Sequence, residues 1–84
     1  MNYFERVPVR TEGVVLTGEV TEINCNGLEA SLFADGSDVF IKTEKTVSDD
    51  HSFILKNGES ITLNGRFFVK ADSGSLRVLY CRIV

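Results

Sequence analysis

VFIKTEKTVSDDHSFILKNGESITLNGRFFVKADSGSLRVLYCRIV, residues 39–84, decides the fold. Its short apolar runs are cut at intervals by turn residues, and no helical period outlasts one turn. Asn57-Gly58 and Asn64-Gly65 are hairpin signals, because glycine enters the positive-φ region that such turns need. Asp72-Ser73-Gly74-Ser75 marks a further turn. The strands read off this half are residues 39–41, 53–55, 60–63, 66–71 and 76–84.

Upstream, Leu16 and Val20 share one strand face, while Ile23 and Cys25 have the opposite parity. A half-buried strand changes parity only at a bend, which predicts a bulge or break near Glu22. Asn26-Gly27 then reads as a tight hairpin, followed by a half-buried strand carrying Leu28, Ala30 and Leu32 and a turn over residues 34–37. Residues 1–10 read as an N-terminal arm whose Tyr3, Phe4, Val7 and Val9 must pack somewhere. Residues 11–84 read as a single β domain. The expected fold is all-β, a compact antiparallel β-sandwich or jelly-roll-like small barrel of about eight short strands.

Size and charge narrow the function. A chain of 84 residues has a thin core and gains from partner subunits. The net charge is −3 and the nine Lys and Arg are scattered, unlike the clustered cations that grip nucleic acid. No apolar run reaches the length of a membrane span, and no secretory signal opens the chain, so synthesis in a cytoplasm is expected. Cys25 and Cys81 can pair if their Cα atoms lie within about 7 Å. Their isolation favours two reduced, half-buried core thiols.

No catalytic constellation is legible. His51 is the only histidine and has no ligand partners in sequence, so a solvated loop residue is the expectation. Asp35, Asp38, Asp49, Asp50 and Asp72 lack calcium-loop spacing and read as turn formers. No nucleophile elbow and no phosphate-cradling glycine loop is present. We expect no metal and no cofactor. The sharpest rival is base stacking on an oligonucleotide-binding barrel by Tyr3, Phe4, Phe33, Phe40, Phe67, Phe68 and Tyr80, aided by Arg66, Lys70, Arg77 and Arg82. A carbohydrate- or ligand-binding β module is a third class.

The final strand is apolar on both faces. Leu76, Val78 and Tyr80 alternate with Leu79, Cys81 and Ile83, and Phe40 and Phe68 likewise oppose their neighbours. In so short a chain a second covering layer comes largely from a partner, which predicts a homo-oligomer. Its contacts are expected at Tyr3, Phe4, Val7, Phe40, Phe68, Leu79 and Ile83.

Residues 38–79 resemble a recurrent pattern in small virion proteins of tailed phages. A strand such as Val39-Phe40-Ile41 leads to a polar loop, then to a phrase like FILKNGESI over residues 53–61. A strand such as Phe67-Phe68-Val69-Lys70-Ala71 follows, then Asp72-Ser73-Gly74 and Leu76-Arg77-Val78-Leu79. The chain departs from the pattern at Lys42 and Ser52, where the family usually carries glycine. The resemblance implies a phage or prophage structural protein, in head decoration, head–tail joining or the tail. Such a protein is made in a host bacterial cytoplasm, resides in the virion, and works by association with itself and with other virion proteins.

Overall fold

A computed structural model describes residues 5–46 and 51–84. The described chain is all-β. Its strands are β1 (Arg6–Val15), β2 (Thr21–Asp35), β3 (Val39–Lys42), β4 (Phe53–Leu55), β5 (Ser60–Lys70) and β6 (Ser75–Ile83). They form one sheet in the order β1-β6-β2-β5-β3-β4, and every neighbouring pair is antiparallel. Residues 6–10, read as part of an arm, are the first half of β1 and lie along β6. No helix among the described residues is long and apolar enough to cross a membrane.

Six strands stand where the sequence predicts about eight. The difference lies at two Asn-Gly pairs. Asn26-Gly27 falls inside β2 and Asn64-Gly65 inside β5, and neither closes a hairpin. The two sites face each other. Asn24 pairs with Arg66 and Glu29 with Asn64, so residues 25–28 of β2 stand opposite Gly65 alone. Asn26 (φ 50°), Gly27 (φ 83°) and Gly65 (φ 84°) all adopt the left-handed region. The residue pair that suits a tight turn here makes a corner, as in a large β-bulge. Asn24 helps hold it, its Oδ1 accepting the Asn26 N–H at 3.0 Å. The corner also switches parity. Before it Ile23 and Cys25 point inward; after it Ala30, Leu32 and Ala34 do.

The break expected near Glu22 lies slightly earlier, in the link between β1 and β2. There the Leu16 N–H donates to the Gly74 carbonyl at 3.0 Å and the Gly18 N–H to the Ala71 carbonyl at 2.8 Å. Asn57-Gly58 is a true turn, with the Glu59 N–H donating to the Lys56 carbonyl at 2.9 Å and Gly58 at φ 86°. It is not the hairpin that the sequence suggests, because β4 and β5 do not pair. Both flank β3.

One core cluster draws on β2 through β6, from Ile23 and Leu32 to Leu55, Val69 and Tyr80, with Val14 of β1 packed at its margin. A flat sheet leaves both faces wet. Burying one set of side chains this completely requires the sheet to curl around them, which the corner permits.

Three loops lock one end of the sheet. Ser37 Oγ donates to the Ser73 carbonyl at 2.6 Å, the Gly36 N–H to Asn57 Oδ1 at 2.9 Å, and the Asn57 N–H to Asp38 Oδ1 at 2.8 Å. The 56–59 turn also docks on β2, through Gly58 N–H to the Ala34 carbonyl (2.8 Å) and Ala34 N–H to the Glu59 carbonyl (3.1 Å).

Candidate interaction surface

The curled sheet leaves its core open beside β4. Ile41 and Phe53 are paired across the β3–β4 ladder and therefore share a face. With Ile61, Leu63 and Phe67 they line an apolar cleft of about 280 Å³. Ile41 and Phe67 are core residues, whereas Phe53 is 55% exposed. A three-residue edge strand made only of Phe, Ile and Leu must present apolar side chains to both faces, and only Leu55 reaches full burial. Phe53 is the residue that sequence reasoning missed. Its place in an unbroken apolar triplet was the available signal.

The expected contact residues scatter. Tyr3 and Phe4 lie outside the described residues. Val7 and Phe40 are half-buried on β1 and β3. Leu79 and Ile83 are exposed on β6. Phe68 needs correcting, because it is 3% exposed and has no surface to offer. It points away from the main core, but Val20, Glu22 and Lys45 surround it and the Arg66 guanidinium lies 5.6 Å from its ring centroid. Long charged side chains lay their apolar stems over it, so no second subunit is needed there.

The thiols are both free and both buried. Only Cys25 belongs to the core cluster; Cys81, next to the core residue Tyr80, points to the opposite face. Both are more deeply buried than half, and only one is a core thiol. Burial pushes the Cys25 thiol up from its ordinary value, which keeps it neutral and unreactive near pH 7.

The aromatics offered for base stacking are mostly spent elsewhere. Phe67, Phe68 and Tyr80 are buried, Phe40 is half-buried, and Phe33, at 37%, is the one of that set among the described residues that is exposed. Arg66 pairs with Glu22 and Arg77 with Asp35. Arg10 stacks 3.9 Å from the centroid of the Tyr80 ring, beside Glu12, whose Oε1 accepts the Tyr80 hydroxyl at 3.4 Å. Burial first, and then the Glu12 charge, push the Tyr80 hydroxyl up. Asp38 is held below the usual carboxylate range, chiefly by the Asn57 N–H. His51 is exposed, and among the described residues no three His, Cys, Asp or Glu side chains gather. These polar groups cap and tie the fold, and none sets a nucleophile beside a base.

No family model matches the chain. No curated protein matches it either. Its fold is similar to that in the crystal structure of protein NMB1881 from Neisseria meningitidis. The two align with a TM-score of 0.67 over 98% of this chain and 88% of that one, at 16% identity. At that identity the likeness defines a fold in common: an all-β domain built on a small antiparallel sheet.

Proposed function

We propose that this chain is a non-enzymatic structural protein of a tailed-phage or prophage virion that works by assembling with copies of itself and with other virion proteins. On this reading it is made in a bacterial cytoplasm and resides in the particle, and the curled sheet is the sandwich- or jelly-roll-like small barrel expected of such a module. One observation carries the assembly reading. The sheet is open, and large apolar side chains stand exposed along both its edges: Val9 (48%) and Val15 (75%) on β1, Phe53 (55%) and Ile54 (39%) on β4. Bare edges of this kind are templates for association. The virion assignment rests on the sequence resemblance over residues 38–79.

The test is the solution mass of the chain by size exclusion with light scattering at two salt concentrations. A closed oligomer at both supports the reading, since apolar association survives salt. A monomer at all accessible concentrations would sink self-assembly. Salt-sensitive binding of single-stranded nucleic acid would shift the weight to the rival class.

A further inference from the structure

We propose that the second half of β1 is the dimer edge of this protein, pairing antiparallel with β1 of a second copy on a two-fold axis at Gly13. The inference deepens the self-assembly reading and rests on it.

Backbone register defines the edge. The Leu16 N–H bonds to Gly74 of the facing turn. Hydrogen-bonded positions alternate along an antiparallel ladder, so even-numbered residues of this half of β1 bond to β6. Thr11, Gly13 and Val15 therefore aim their N–H and C=O groups at the free edge. The first half of β1 is different. Glu5 and Val84 exchange both their backbone bonds, which puts Arg6 and Pro8 on the free side. Proline has no N–H there, and the register slips between Pro8 and Arg10. A proline and a bulge are the devices that blunt an edge. Residues 11–15 carry neither.

Gly13 is otherwise unexplained. Its φ is not in the left-handed region, and a Cβ built on it would meet nothing within 4 Å. Glycine inside a strand is less favourable than alanine, because it gives up more backbone freedom and packs no side chain. Where the chain's own geometry makes no use of it, it marks the approach of another backbone.

Register then selects a second copy and its alignment. The outward groups of two β1 strands meet only if the axis passes through a residue position. An axis at Thr11 sets the bulged Val9 against Gly13, and one at Glu12 sets Glu12 against its symmetry mate, like charge on like. An axis at Val14 or Val15 runs the pairing off the end of the strand. An axis at Gly13 uses all of residues 11–15. It matches Thr11 with Val15 of the second copy, Gly13 with Gly13, and Val15 with Thr11, three pairs each exchanging two N–H···O bonds. Glu12 faces Val14, and each Glu12 keeps its own Arg10, at 3.6 Å. Val15, the most exposed large apolar side chain among the described residues at 75%, gains a β-branched cross-strand partner.

The experiment compares the wild-type chain with Gly13→Pro, Val15→Lys and Gly13→Cys. Solution mass and sedimentation give the dimer constant, and far-UV circular dichroism checks the fold. The N–H lost in Gly13→Pro faces away from β6, so the expected result is a folded chain whose dimer constant rises at least about tenfold. Val15→Lys, at a solvent-exposed position, gives the same result should the proline variant unfold. Gly13→Cys is expected to form a covalent dimer under mild oxidation, because Cα atoms in a hydrogen-bonded pair lie about 5.5 Å apart, within disulfide reach. A wild-type oligomer that all three variants leave unchanged, with no cross-link, overturns this edge and leaves self-assembly standing. A monomeric wild type overturns both.

Discussion

Gly74→Ala tests the interlock of the three loops. Gly74 sits at φ 80°. A Cβ there would lie 2.8 Å from the Asp35 carbonyl oxygen and 3.1 Å from both the nitrogen and the Oγ of Ser37. The first neighbour is backbone and cannot rotate aside. The left-handed φ costs an alanine about 1–2 kcal/mol. Displacing the 35–37 segment adds a packing cost of about 1–3 kcal/mol and strains the 2.6 Å bond from Ser37 to Ser73, worth about 1 kcal/mol. Gly58→Ala is the control, with φ 86° and nothing within 4 Å of its Cβ, so only the backbone cost applies. The gain from a stiffer unfolded chain, about 0.4–1 kcal/mol, is common to both and cancels. Gly74→Ala should therefore exceed Gly58→Ala by about 2 kcal/mol or more, which for a domain this size separates their Tm values by roughly 8–16 °C. Thermal unfolding followed by far-UV circular dichroism reads the difference. Equal losses would refute the reasoning, because they would mean that the loops part freely and that their close approach contributes nothing.

Three other outcomes follow from the same geometry. Tyr80 should resist alkaline titration followed by tyrosinate absorbance. Its raised folded pKa gives stability that is complete below pH about 10 and declines as pH rises above it, so ionisation of Tyr80 should coincide with unfolding, and a Tyr80 that ionises freely in the folded chain contradicts its burial. Asp38 has the opposite sign. Its depressed pKa gives stability present above pH about 4 and lost as pH falls below it, so Asp38→Asn should flatten the acid limb of a stability–pH curve, and an unchanged limb refutes the Asn57 contact as its source. Phe68→Ala should destabilise by about 3–5 kcal/mol in denaturant titration, whereas Phe53→Ser, at a half-exposed site, should cost about 1 kcal/mol. The reverse order would mean that the cleft is closed and the outer face open.

The strands and most of the turns were legible because their signals are local. Alternation in the 76–84 run, the Asp72-Ser73-Gly74 turn and the short apolar run at 39–41 each need only their own residues. Asn-Gly was legible as a positive-φ site but not as a connection. The same backbone preference makes a hairpin when the strands on either side pair with each other, and a corner when both pair with a third. That choice is made by distant residues, as when Asn26-Gly27 finds Gly65 across the ladder. Pairing across β3 hid the role of Asn57-Gly58 for the same reason. The cleft was illegible because the exposure of Phe53 depends on how far the sheet curls, which no local pattern encodes.

The outer face changes the grounds for assembly. A strand apolar on both sides suggests a second protein layer, and for Phe68 and Cys81 that inference is unnecessary. Phe68 is covered within the chain by charged side chains, and Cys81 is buried between its ladder partners Pro8 and Glu29, where Arg6 reaches Glu29. The Arg66–Glu22 pair is exposed on both sides and contributes little as charges, and in the Arg6–Glu29 pair the arginine is exposed while the glutamate is largely covered. Their stems nevertheless replace water over the apolar atoms. What they leave uncovered is Phe33, Leu79 and Ile83, dispersed among Ser31, Thr62 and Arg77 on a mixed face. Scattered single hydrophobes are ordinary protein surface. The edges are not ordinary, since β1 keeps an unblunted stretch and β4 exposes Phe53 and Ile54 beside an open cleft. The case for association therefore rests on backbone groups and edge side chains. An aspartate at Leu79 should leave the solution mass unchanged, whereas a proline at Gly13 should halve it, and the opposite pair of results would return the interface to the face.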